Sequence, residues 1–154
     1  MADSPTPQNF QNHTRYDPKF HFVLLPILAI HFLYRIYELV RHLLDPAAGR
    51  DTTRLIGATI IAFALLLMGF IVRLYAVKVQ TRVIRLEERL RLEKILPAEM
   101  RSRIPELTES QLVALRFAPN EELTELTRAA LDKKLGNKEI KQGIRNWRAD
   151  NFRV

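Results

Sequence analysis

Residues 55–72, LIGATIIAFALLLMGFIV, hold 18 consecutive positions without a charge. A helix needs roughly 20 residues to cross a hydrocarbon core about 30 Å thick, so this run predicts a membrane span. It passes without a break into a ladder of basic residues, GFIVRLYAVKVQTRVIRLEERL at 69–90. A chain of 154 residues has room for one soluble domain, or for an anchor plus a small domain. The apolar run selects the second.

A weaker apolar run precedes it. Residues 22–34, FVLLPILAIHFLY, contain His31 as their one group ionisable near neutral pH. The run reaches span length only by including Arg35 and Glu38. It does not read as a cleaved signal, because RIYELVRHLL follows it instead of a small-residue cleavage site, and PAAG at 46–49 comes too late. Spans at about 21–41 and 55–73 are therefore expected, joined by a loop in which Asp45-Pro46 and Gly49 break helix and Asp51 or Thr52 caps the next one. Such a helical hairpin puts both termini on one side. The loop carries Arg41, Arg50 and Arg54. The terminal side carries Arg15 and Lys19, then Arg73, Lys78, Arg82, Arg85, Arg89, Arg91 and Lys94. Nine cations against three place both termini in the cytoplasm.

The ladder is first an orientation signal, and it sits where anionic headgroups attract each cation by about 1 kcal/mol. Neither proline nor glycine interrupts 70–96, and Pro97 ends the run. One helix from about 52 to 96 would be about 65 Å long, so its second half forms a basic stalk outside the lipid. Glu87 with Arg91 and Arg89 with Glu93 stand four apart, where opposite charges meet on a helix. Val72, Ala76, Val79, Val83, Leu86 and Leu90 follow four-three-four-three-four spacing, a coiled-coil seam. Two partners are open for it: a second copy of the chain, or the chain's own C-terminal helices.

His31, Arg35, Glu38 and His42 share one face of the first span. Ionisable groups inside a membrane are costly and often functional, so a relay or ligand site is one reading. Plain packing is the other: Arg35 pairs with Glu38, long side chains reach water, and His31 bonds Thr59 of the second span. His31 and His42 are about 16 Å apart along the helix, too far to share a metal. Pro26 predicts a kink or a loosened turn.

The tail is punctuated as three short helices. In LTESQL, Thr108 and Gln111 make a capping box, and Leu107 and Leu112 a hydrophobic staple. The first helix runs to about Ala118. Asn120 caps the second, with Leu123, Leu126, Ala130 and Leu131 as its apolar face and Gly136 closing it. Asn137 caps the third, where Ile140, Ile144 and Trp147 form a stripe. So small a core needs the stalk or a second copy to complete it. Lys138, Lys141, Arg145 and Arg148 line the opposite side of the third helix. With Arg73, Lys78, Arg82, Arg85 and Arg89 they are the candidate contacts for anionic lipid or a partner, the formal net charge being +7. A helix-turn-helix nucleic-acid reader is a weaker reading of the same row.

The blocks PQNFQNHTRYDPKFHF, RVIRLEERLR, LVALRFAPNEEL and IKQGIRNWRADNFRV resemble those of a family of small two-span bacterial membrane proteins, a domain of unknown function. The resemblance covers nearly the whole chain and implies the bacterial cytoplasmic membrane. It carries no catalytic residues. His13, Arg15, Tyr16, Lys19 and His21 cluster just before the first span, where they anchor the interface or dock against the stalk.

The expected plan is all-α: a cytoplasmic tail at 1–20, a transmembrane hairpin and stalk at 21–96, and a small cytoplasmic helical domain at 97–154. There is no cysteine, and no nucleophile–base pair, phosphate loop or metal-ligand cluster is visible, so no enzyme activity, cofactor or metal is expected. The leading reading is a membrane-anchored scaffold whose helices bind a partner or another copy, with Val79, Val83, Leu86 and Leu90 as the oligomer seam. A membrane-tethered nucleic-acid binder is the first alternative. The second is a subunit of an oligomeric transporter or membrane enzyme that uses the first-span stripe.

Overall fold

The computed structural model describes residues 8–13, 16–45 and 51–150. All regular elements among them are helical. Helix α1 covers Lys19–Leu44 and α2 covers Thr52–Ile95. A single turn, α3 (Ala98–Arg101), and a 3-10 turn (Ile104–Glu106) lead to α4 (Glu109–Leu115), α5 (Asn120–Asp132) and α6 (Asn137–Gly143). The described residues fall into two compact units, one built from 16–77 and the other from 8–13 with 78–150. Residues 46–50, with the expected breakers Pro46 and Gly49, lie outside the described residues. Of the two expected caps of α2, Asp51 takes the role: its carboxylate accepts the backbone N–H of Thr53 at 2.9 Å and of Arg54 at 3.4 Å.

In the first unit, α1 and the first half of α2 touch in antiparallel order. Nε2 of His42 lies 2.9 Å from Oγ1 of Thr52, the Thr59 hydroxyl is 3.4 Å from the Arg35 carbonyl, and the rings of Phe32 and Phe63 are 5.5 Å apart. A Cβ on Gly69 would come 3.2 Å from Leu28 Cδ1. Small residues let the helices meet this closely: Ala62 is buried here, so it serves the chain's own helix pair. The outer faces stay open. Ile30, Leu33, Ile60 and Ile61 are each more than 60% exposed, and both helices are long and apolar enough to cross a membrane.

The loosened turn expected at Pro26 lies just before it, as a π-helical stretch over Lys19–Leu24. In an α-helix the proline ring would crowd the carbonyl four residues back and leave it without a donor. The wider turn shifts pairing to five residues, as in the bond from Leu25 N–H to the Phe20 carbonyl.

The second unit has one core. Leu92 and Leu96 at the end of α2 are fully buried with Leu112, Leu115, Phe117, Leu123 and Ile140. The stalk thus completes the tail's core, but not with the seam. Val79, Val83, Leu86 and Leu90 are 49–61% exposed, and the α2 face that meets the tail is Ile84, Arg85, Glu88, Leu92 and Ile95. The chain's own C-terminal helices are therefore not what covers the seam.

The first tail helix starts as its sequence predicts. Gln111 N–H donates to Thr108 Oγ1 at 3.2 Å, Thr108 N–H to Gln111 Oε1 at 2.9 Å, and Leu107 and Leu112 are buried beside them. Gln111 also donates through Nε2 to the carbonyls of Ala130 (3.1 Å) and Leu135 (3.0 Å), which ties α4 to the end of α5. Three expected caps differ. Asn120 is the first residue of α5, and its Oδ1 accepts from Arg91. Asn137 donates to the Ser110 carbonyl, while Glu139 accepts the Gly136 N–H at 2.6 Å. The left-handed residue that ends α5 is Lys134 (φ 50°), not Gly136, and Leu135 N–H closes back on the Ala130 carbonyl.

Candidate functional site

Opposite the open seam, the stalk carries a buried ionic cluster. Arg91 does not take the expected Glu87. Its guanidinium donates to Glu88 Oε1 (3.0 Å), the Ala118 carbonyl (2.7 Å) and Asn120 Oδ1 (2.7 Å), so one side chain pins α2 to the turn between α4 and α5. Glu88 is 3% exposed. Burial pushes its carboxyl above the usual range, and the opposing pull of Arg91 does not overcome that. A cavity of about 620 Å³ opens beside it, bordered by Lys94, Arg116, Arg148 and Asp150. Arg116 Nε stands 3.1 Å from Asp150 Oδ2, and its guanidinium lies 4.3 Å from the centre of the Phe117 ring. Four cations, Arg91, Lys94, Arg116 and Arg148, meet three carboxylates here, Glu87, Glu88 and Asp150, an arrangement that locks the stalk to the tail. The signal for Glu88 is its place on the stripe Ile84, Glu88, Leu92 and Ile95, which the seam on the other face obscures.

The basic row of the third tail helix does not exist as one helical face. α6 ends at Gly143, and Ile144 is extended (ψ 121°). Glu122 is the reason: its carboxylate accepts the backbone N–H of Arg145 (2.9 Å) and Asn146 (3.0 Å), which offers the chain a better partner than another helical turn. Partial burial pulls the Glu122 carboxyl upward, and these donors outweigh it and hold it below the usual range. Lys138 and Lys141 are therefore helical, whereas Arg145 lies in a bend and Arg148 on irregular chain beyond the helix. Arg148 N–H is bound by the Phe117 carbonyl at 2.8 Å. Ile140 and Ile144 are buried as expected, but Trp147 is only partly buried and meets Phe117 (4.9 Å between ring centres) and His13 (5.6 Å).

The N-terminal block divides. Asn9 and Asn12 cap one another in a turn, and His13 Nδ1 donates to the Phe10 carbonyl at 2.7 Å. The His13 ring packs on Phe117 and Trp147, its Nε2 lies 3.2 Å from Lys141 Nζ, and Gln8 Oε1 accepts the Asp150 N–H at 2.9 Å. His13 thus docks on the tail and not on the stalk. Tyr16, Phe20 and His21 form a separate aromatic cluster in the other unit. Arg15 lies outside the described residues.

In the first-span stripe, Arg35 Nη1 pairs with Glu38 at 2.7 Å. His31 does not bond Thr59, because the Thr59 hydroxyl is directed at the carbonyls of Leu55 (2.9 Å) and Arg35. Buried His42 meets Thr52. Of the ladder, Arg73 lies over the Phe20 ring at 5.6 Å and Arg85 pairs with Glu109, while Lys78, Arg82 and Arg89 are exposed. Among the described residues no three His, Asp or Glu side chains come close enough to hold a metal ion.

A family model described as a family of unknown function, DUF6526, matches residues 3–154. No curated protein and no solved structure matches the chain.

Proposed function

The chain belongs to the DUF6526 family, and we propose that it is a membrane-anchored scaffold protein with no catalytic activity of its own. Its two apolar helices form a transmembrane hairpin in a bacterial cytoplasmic membrane. Both termini are cytoplasmic, and the stalk and tail present surfaces to a protein partner or to a second copy. The observation that carries this reading is the docking of Gln8 and His13 on Trp147, Lys141 and Asp150. Residues on either side of two apolar helices can pack together only if they share a compartment, which requires an even number of crossings. The outer faces of both helices are open and greasy, which suits lipid. The basic asymmetry around them supplies the direction.

The broken basic row disfavours the nucleic-acid alternative, and the Arg35–Glu38 pair and the Thr52 partner of His42 favour the packing reading of the first-span stripe. Reporter fusions test the topology. A fusion in the loop at Gly49 should report the outside and one at the C-terminus the cytoplasm. A cytoplasmic signal from Gly49 with an external C-terminus overturns the reading.

A further inference from the structure

The contact of His13 with the tail works in one protonation state only. The Phe10 carbonyl can only accept, so the 2.7 Å bond puts the ring proton on Nδ1. The Lys141 ammonium can only donate, so at 3.2 Å it needs the lone pair of Nε2. Both bonds form on a neutral ring protonated at Nδ1. A second proton would go to Nε2, which removes the acceptor and sets an imidazolium N–H against an ammonium. Phe10, Phe117 and Trp147 surround the ring at 5.8, 5.7 and 5.6 Å between centres, so little water is there to screen the two cations. Nor do the other charges around the ring relieve them. From α6, Lys141 itself stands over Phe117 at 5.5 Å, Lys138 is exposed, and Glu139 is turned back to the Gly136 N–H. Just after α4, Arg116 lies on Phe117 at 4.3 Å and adds a further cation. On the segment after α6, Arg145 and Arg148 are exposed, and Asp150 pairs with Arg116 at 3.1 Å. The rest of the N-terminal turn, Gln8 to Asn12, has no titratable side chain.

We propose that His13 is a proton-operated switch: neutral, it holds residues 8–13 on the tail, and protonated, it releases them and bares the rings of Phe117 and Trp147. The switch rests on the shared compartment of the two termini and adds a regulation to the scaffold reading. Docking takes the unprotonated ring, so acid must oppose it. An imidazole in water titrates near pH 6.5, which places the change within the physiological range. Docking is at full strength above that pH. Below it, the docking constant falls by up to about tenfold per pH unit, the limit for one proton excluded by closure.

Trp147 is the only tryptophan, so its accessibility reports the contact directly. The test titrates the full chain in a neutral detergent from pH 8 to pH 5 and follows quenching of Trp147 by acrylamide. Quenching should rise severalfold towards the acid end and reverse on return to pH 8. His13→Phe keeps an aromatic ring in the slot with no proton to take, and should give a flat curve. Lys141→Gln exchanges the ammonium for an amide oxygen that accepts from the protonated ring, so the rise should vanish or move to lower pH. His21→Phe, in the separate aromatic cluster, should titrate as the wild type does. Circular dichroism melting at pH 8 establishes that each variant is folded. If His13→Phe fails to fold, Lys141→Gln decides the matter. A flat wild-type curve, a wild-type rise in His13→Phe or Lys141→Gln, or a flat curve in His21→Phe overturns the proposal. The reporter fusions test the compartment separately, so a flat titration with both termini on one side removes the switch and leaves the scaffold reading in place.

Discussion

Two carboxyl groups of the tail are perturbed in opposite directions, and each has a consequence for stability. Burial raises the Glu88 carboxyl, so the folded chain binds that proton more tightly than the unfolded chain does. Its contribution to stability then falls as pH rises from about 4.5 through the folded value. Glu122 is held low by the N–H groups of Arg145 and Asn146, so its contribution is present above the unfolded value and is lost as pH falls through the folded one. Unfolding of the detergent-solubilised full chain, followed from pH 4 to 7, should separate them. Relative to wild type, Glu88→Gln should gain stability with rising pH, and Glu122→Gln should lose it. Parallel curves for wild type and Glu88→Gln would show that the buried carboxyl is as easily ionised as a free one. Neither group was legible in sequence. Glu88 stands next to Glu87 in the charged stretch RLEERLR, where nothing local marks one carboxylate for burial, and the donors that hold Glu122 come from 23 and 24 residues away.

Local chemistry was readable at the level of the helix, and distant chemistry was not. The box of Thr108 and Gln111 closes within three residues, and both of its bonds form. Beyond Gly69 the unbroken course of α2 follows from the absence of proline and glycine over 70–96, and its end from Pro97. Asn120, by contrast, is drawn off its capping role by Arg91, which lies 29 residues earlier. The end of α5 illustrates a different failure. Glycine is the usual left-handed residue, so Gly136 was the natural choice, yet Lys134 takes that conformation. A side chain there costs about 1 kcal/mol relative to glycine. Lys134→Gly should therefore raise the stability of the tail by about 0.5–1 kcal/mol, measured by chemical unfolding of the full chain. An unchanged or lower midpoint would mean that the Lys134 stem contributes packing that offsets its backbone strain.

For the molecule as a whole, the open seam is an apolar surface on the stalk that nothing in the chain covers among the described residues. Val79, Val83, Leu86 and Leu90 are too exposed to be core, and they keep heptad spacing. If two stalks leave one membrane side by side, they are parallel. In register, Arg82 of one helix then stands in the position that faces Glu87 of the other, while Arg89 faces Lys94. One attractive and one repulsive pair per side leave the apolar stripe to decide. Cysteine-free chain crosslinked through amines in native membranes should give dimers, and Val83→Asp should reduce them severalfold by placing a carboxylate in the seam. Equal crosslinking in the variant would assign contact to some other face.

The docking of His13 on Lys141 spans 128 residues of chain. At about 5–20 residues per second, a ribosome takes roughly 6–26 s to travel from one to the other. Throughout that interval Phe10 and His13 are already made while the surface they cover is not. Closure of the tail is thus a late event, which follows the synthesis of both apolar helices. A chain stalled or cleaved before Trp147 would keep its hairpin and leave its first segment unlatched.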